Sequence, residues 1–197
     1  MRRRARLRIC GHCFHAVNRS TNKRIPEYSG ITLQTWPAEQ LSQLPLSLCE
    51  QLAQLFHQTV HQINCRDYGP EQIAAWSPRA QSAEAWQSRL QSKQALYIAK
   101  AGNQMLGFVE LDPPDSARRS HIDCLYVHHR HQRQGVGAAL ISVLETDAKA
   151  QGISLLYVEA SITAQPFFSH HGFRVVREQI RDLRGCQFKQ FYMEKPL

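Results

Sequence analysis

Residues 132 to 137 read Gln-Arg-Gln-Gly-Val-Gly, directly after an apolar strand pattern (Ile122 to Val127) and directly before a long amphipathic helix pattern. A strand, a glycine turn and a helix in that order make the first half of a crossover unit, which needs a parallel partner strand and a sheet to join. The junction also carries chemistry. Gly135 and Gly137 let backbone N–H groups approach an anion without Cβ interference, and the opening helix turn adds unpaired donors and a positive dipole end. Arg133 adds charge at the same place.

In the helix pattern, Val136, Ala139, Leu140, Val143, Leu144 and Ala148 form one apolar stripe, and Gly152 stands where a C-terminal cap belongs. Residues 154 to 160 read as a strand, so 121 to 128 and 154 to 160 are expected to be parallel neighbours in a right-handed crossover. Upstream, 31 to 36 alternate as a first strand, and 47 to 61 carry Leu48, Leu52, Leu55, Phe56 and Val60 at helical spacing. Pro70 opens a second helix that closes at Ser77-Pro78, and 83 to 90 read as a third. Residues 95 to 100 and 104 to 111 flank Ala-Gly-Asn as a hairpin. Downstream, Thr163 is placed to cap a short helix ending near Gly172, and strands at 173 to 181 and 187 to 194 turn at Arg184-Gly185. There are no internal repeats.

At 197 residues the chain is long enough for a single well-buried core, and no run approaches the roughly 18 consecutive apolar residues of a membrane span. The net charge of +8 is uneven. Arg2, Arg3, Arg4, Arg6, Arg8, Arg19, Lys23 and Arg24 precede any acidic residue, which leaves the rest of the chain formally neutral and argues against a nucleic-acid partner. Residues 1–28 read first as a disordered basic extension, with targeting and polyanion binding as the other readings; 29–197 form the expected domain. Cys10 and Cys13 lie near His12 and His15, but 16 to 48 hold neither Cys nor His, so no second ligand pair completes a zinc site. The scattered remaining cysteines read as buried free thiols in a reducing compartment, the cytoplasm.

Two rival uses of a Gly-x-Gly turn fall away. A dinucleotide-binding crossover would place Glu159 as its ribose acid, but the third glycine position is Leu140, and too little chain follows Glu159 for a doubly wound sheet. A P-loop would need Gly-Lys-Ser/Thr, which is absent.

The Gln/Arg-x-x-Gly-x-Gly turn resembles the acetyl-CoA pyrophosphate loop of the GCN5-related N-acetyltransferases, the GNAT superfamily, and the element order resembles their fold over residues 30 to 197. A second segment, Ala160-Ser-Ile-Thr-Ala-Gln-Pro-Phe-Phe-Ser-His-His-Gly-Phe173, resembles the family helix that ends in Gly-Phe. The paired phenylalanines, Tyr68 to Trp76 and the ending Phe191 to Leu197 are similar to the bacterial YafP-like branch. The resemblance implies an α/β (α+β) fold: one mixed, mostly antiparallel sheet, with a central parallel pair splayed around acetyl-CoA and helices alongside. It implies a cytoplasmic N-acetyltransferase that moves the acetyl group of acetyl-CoA, with no metal, onto a primary amine of a small molecule or peptide in a ternary complex. A homodimer is compatible with it. The competing reading is a non-catalytic acetyl-CoA sensor.

Carried onto this sequence, the resemblance implies cofactor contacts from Leu125, Tyr126 and Val127 along the pantetheine arm. Gln132, Arg133, Gln134, Gly135, Val136, Gly137 and Ala138 would meet the pyrophosphate, with Phe167 and Phe168 at the thiol end. Many relatives carry a tyrosine where this chain has Phe168, so their usual acid for the departing thiolate is missing. Candidate bases are Asp123 and His121, which share a strand face by the period of two, with Glu110 a third; Tyr192 in the last strand is the candidate acid. His128, His129 and His131 read as a solvated rim of the loop, and His170 and His171 as favourable charges at a helix C-terminus.

Overall fold

The computed structural model describes Lys23–Arg24 and residues 30–197. The elements are β1 (Lys23–Arg24), β2 (Thr32–Pro37), α1 (Ala38–Leu41), α2 (Leu46–Gln62), α3 (Pro70–Trp76), α4 (Ala83–Leu90), β3 (Ala95–Ala101) and β4 (Gln104–Leu111). They continue as β5 (Arg119–Val127), α5 (Val136–Ala150), β6 (Leu155–Ser161), α6 (Gln165–His170), β7 (Arg174–Leu183) and β8 (Cys186–Pro196). The expected extension over 1–28, with Cys10 and Cys13, lies outside the described residues except for Lys23–Arg24, whose backbone pairs with β2.

One sheet runs β1-β2-β3-β4-β5-β6-β8-β7, antiparallel throughout except between β5 and β6. That parallel pair is short. Only Arg119, Ser120 and His121 face Leu155, Leu156 and Tyr157; beyond these the two strands part, and the sheet opens. The crossover helix between them closes with Gly152 at φ +74°, the Ile153 N–H donating to the Ala148 carbonyl and the Gly152 N–H to that of Lys149. This double closure satisfies the last orphan carbonyls and lets the chain turn into β6.

Strand alternation divides the core. On β3, Ala95, Tyr97 and Ala99 face the side covered by α5, while Leu96 and Ile98 join Leu52, Trp86 and Phe108 on the side covered by α2 and α4. Because both faces are covered, β3 and β4 read as near-continuous apolar runs. Gly107 on β4 explains the close seat of α5: a Cβ there would stand 2.8 Å from the Tyr126 carbonyl oxygen and 3.1 Å from Val136.

Two expectations are corrected. Thr163 does not cap α6; the N-cap is Ala164, and the Thr163 hydroxyl instead donates to Asp67 Oδ2 at 2.7 Å, tying this turn to the segment before α3. The four cysteines of the described region are free, but Cys65 is exposed and Cys186 half-buried, so only Cys49 and Cys124 are buried thiols.

Candidate active site

Where β5 and β6 part, a cleft of about 960 Å³ opens. One end is walled by the loop after β5, the first turn of α5 and α6, and the other by α2, α3, α4 and the β7–β8 hairpin.

At the first end, Arg133 (φ 62°) and Gly135 (φ 81°) both adopt left-handed backbone. Alternation of this kind turns successive N–H groups to one side and forms a concave nest for an anion. Among the described residues, the N–H groups of 133 to 138 donate to no other group, and the first turn of α5 adds its positive dipole end. Gln132 anchors the loop from below, its Nε2 donating to the Val127 carbonyl at 2.6 Å. That carbonyl also accepts from Thr59 Oγ1 at 3.2 Å, so Val127 has both lone pairs engaged. Gln134 turns its side chain to the Arg130 carbonyl and His131, which leaves only its backbone for the nest. Gly137 has a separate reason to lack a side chain: its Cβ would lie 2.9 Å from the Phe167 ring, which packs over the helix start and also meets His171 at 4.4 Å. Phe168 is buried edge-on to Phe167 and Phe173 and still reaches the cleft. His131, His170 and His171 all line this end as well.

At the centre, β5 carries a bulge. Val109 and Leu111 on β4 face Leu125 and Ile122 on β5, so Asp123 and Cys124 together stand opposite Glu110. Into this spot α4 sends Arg89, whose Nη2 donates to Glu110 Oε2 at 2.6 Å, Asp123 Oδ2 at 2.9 Å and Cys124 Sγ at 3.0 Å. Lys93 donates to Asp123 and, at 2.7 Å, to Asp112 Oδ1. The other Asp112 oxygen meets His121 Nδ1 at 2.9 Å, and the imidazole stacks on Tyr157 with 5.0 Å between ring centres.

This chain of charges sorts the expected bases. Burial alone would raise the Asp123 carboxyl, but Arg89 and Lys93 hold it down to about 2, so it remains a carboxylate with little basicity. Burial pushes fully enclosed Glu110 up to about 7, against the pull of Arg89. Asp112 stays below the ordinary carboxylate range: hydrogen bonds from His121 and Lys93 outweigh its burial. Burial raises the Cys124 thiol, and raises the Tyr126 hydroxyl well above its usual value, so both keep their protons. Glu110, Asp123 and Cys124 bring ligand-type atoms within 4.8 Å of one another, yet Arg89 Nη2 already donates to all three. A guanidinium fills the place a cation would take.

His121, Asp123, Leu125, Tyr126 and Val127 line the cleft with Gln132, Arg133, Gly135, Val136, Gly137, Ala138, Phe167 and Phe168. Tyr192 stands outside that lining. Its ring lies 5.6 Å from Tyr157 and is covered by the Arg177 guanidinium at 3.9 Å.

Residues 64–195 match the model of the acetyltransferase (GNAT) domain. The chain is 35% identical over 144 residues to YafP, an uncharacterized N-acetyltransferase of Escherichia coli, covering 73% of this chain and 87% of the relative. The chain belongs to the GNAT acetyltransferase family. Within it, this chain falls in the YafP-like branch and is an acyltransferase. The fold matches a GCN5-related N-acetyltransferase from Rhodopseudomonas palustris with a TM-score of 0.71 at 29% identity, over 86% of this chain and 98% of that one. It also matches the paiA N-acetyltransferase of Thermoplasma acidophilum, solved in complex with coenzyme A, with a TM-score of 0.63 at 19% identity, over 85% and 99% of the two chains. No helix of the acetyltransferase among the described residues is long and apolar enough to cross a membrane.

Sequence reasoning passed over three residues of this GNAT site: Arg89, Lys93 and Asp112. Arg89 and Lys93 did carry a signal, since one cation in the last turn of a helix and a second just past it gather charge at a helix C-terminus. Asp112 sat in a Pro-Pro loop and read as turn chemistry; nothing local tied it to His121, nine residues on.

Proposed function

We propose that this acetyltransferase moves the acetyl group of acetyl-CoA directly onto a neutral primary amine, both substrates being held in the one cleft. The observation that carries the reading is the nest at 133 to 138, whose N–H groups have no partner among the described residues and whose opening faces the gap between β5 and β6. A pyrophosphate would take those donors with Arg133 beside it. The arm would then run along Leu125 and Tyr126 toward Phe167 and Phe168, on the β5 edge that β6 leaves free beyond His121. Coenzyme A in the Thermoplasma acidophilum protein and acetyl-CoA in yncA of Salmonella typhimurium, proteins of like fold, support the same choice.

In the chemical step the amine nitrogen attacks the thioester carbonyl carbon, the C–S bond breaks and the amine gives up a proton. His121 is the base. Asp112 accepts from Nδ1–H and so leaves Nε2 with its lone pair for the incoming amine, while the carboxylate steadies the imidazolium that forms. The tyrosines of the cleft do not favour a phenolic acid: Tyr68 gives its proton to the Lys189 carbonyl at 3.1 Å, and the Tyr126 hydroxyl holds its proton well above the usual range. The thiolate therefore takes its proton from water.

Thiol release from acetyl-CoA with a panel of primary amines tests the reading. Intersecting initial-rate lines are expected when both substrates are varied. Parallel lines would replace the ternary complex with an acyl-enzyme, and tight acetyl-CoA binding with no turnover on any amine would favour the sensor.

A further inference from the structure

The end of the cleft away from the loop is walled by aromatic rings. Phe56 meets Trp86 at 5.4 Å and Tyr126 at 4.8 Å between ring centres, and Tyr68, Trp76 and Phe188 form a second group with mutual spacings of 5.3 to 5.7 Å. All six line the same cleft, with Phe56, Trp76 and Tyr126 half-buried at its surface and Trp86, Tyr68 and Phe188 buried behind them. A smaller recess shares Phe56, Trp76 and Gln81 with it and continues past Ser77 and Pro78 to Arg79 and Arg184. The half-buried rings, backed by tilted and edge-on neighbours, offer an aromatic surface to a flat apolar guest.

The carboxylates at this end are already engaged, and the recess adds two more cations, Arg79 and Arg184. Asp123 is engaged by Arg89 and Lys93, and Glu159 accepts from Gln179 Nε2 at 2.8 Å with Arg181 at 3.7 Å. A second ammonium on the acceptor would therefore lose its hydration without finding an unengaged carboxylate. Two polar atoms in the lining are also out of water and bonded to nothing among the described residues: Trp86 Nε1 and Gln190 Oε1. Buried groups of this kind are satisfied in most proteins, so one donor and one acceptor here stand ready for a ligand.

Building on the acetyl-transfer reading, the geometry points to an acceptor that is a primary amine carried on a flat aromatic body with no second cationic group and with a small polar substituent of its own. Polyamines, aminoglycosides and lysine side chains of charged peptides are disfavoured by the same lining. The amine end reaches His121, and the ring lies between the Phe56 and Trp76 groups.

The test uses the full chain. Acetyl-CoA affinity is measured first by calorimetry, then kcat/KM with 2-phenylethylamine, tyramine, spermidine, kanamycin and a lysine peptide. The aromatic amines are expected to exceed the others at least tenfold, with tyramine ahead because its hydroxyl can meet an orphan group. Trp76→Ala should raise the aromatic KM at least tenfold, with acetyl-CoA affinity kept within twofold and Trp76→Phe restoring most of the loss. Acetyl-CoA binding accompanied by preferred turnover of spermidine, kanamycin or the peptide overturns this inference alone. Failure to bind acetyl-CoA overturns the acetyl-transfer reading on which it rests.

Discussion

His121 Nδ1 lies 2.9 Å from Asp112 Oδ2, and the same carboxylate is held at 2.7 Å by Lys93. An imidazole oriented in this way has one tautomer favoured, and the proposed function uses its other nitrogen as the base. His121→Gln should cut kcat by about 10²- to 10⁴-fold, the usual worth of a positioned base. Asp112→Asn, which loosens both the imidazole and Lys93, should lower kcat by a smaller factor and leave the KM for acetyl-CoA unchanged. A kcat kept within a few-fold in His121→Gln would move the proton to Glu110, the carboxyl raised to about 7.

The loop glycines act through different physics and their variants should separate. Gly135→Val forces a β-branched residue to φ 81°, a strain of about 1–2 kcal/mol, which in a chain of this size costs a few degrees in Tm. Its larger effect should fall on the nest: acetyl-CoA affinity by calorimetry is expected to drop at least tenfold, and unchanged affinity would sink the assignment. In Gly137→Ala the new Cβ meets the Phe167 ring at 2.9 Å, so the ring must move and affinity should fall by way of the thiol end.

Arg89 and Glu110 form a bidentate pair in which the carboxylate has no exposure. Arg89→Leu leaves that carboxylate with only Lys93, 4.0 Å away, and is expected to cost about 3–5 kcal/mol in denaturant unfolding. The double variant Arg89→Leu with Glu110→Leu should recover much of the loss, because a buried pair contributes little beyond cancelling its own desolvation. A double variant no more stable than the single one would show that the arginine acts mainly through Asp123 and Cys124.

Asp123 supplies a pH dependence whose sign follows from its depressed value of about 2. A carboxyl lowered in the folded state stabilises at pH above its unfolded value near ~4 and loses that contribution as pH falls through 2. With the side chain 32% exposed, the contribution is about 1–2 kcal/mol after solvent screening. Between pH 4 and 2 the Tm of Asp123→Asn should therefore fall less steeply than that of the parent chain; equal slopes would show that the ion pairs do not hold the carboxyl down.

Periodicity and punctuation made most of this fold legible. The α5 stripe from Val136 to Ala148, the β3–β4 hairpin and the crossover into β6 follow from residue spacing alone, because each element buries one regular face against a neighbour close in the chain. The glycine turn was legible for a related reason: positive φ at Gly135 and a close ring at Gly137 both exclude side chains locally. The cap assigned to Thr163 failed because Asp67, 96 residues away, took its hydroxyl.

The sequence by itself determined the sheet order's parallel crossover, the anion nest and the absence of a tyrosine at Phe168, since these depend on the chain's own period and on residues within one turn. Only the tertiary structure decided which groups hold charge and which can accept a proton. Arg89 and Lys93 come from α4 and its end, Glu110 and Asp112 from β4 and the loop after it, and His121 and Asp123 from β5. Ionisation depends on burial and on partners within a few ångströms, and folding brings those partners together from segments that share no local pattern.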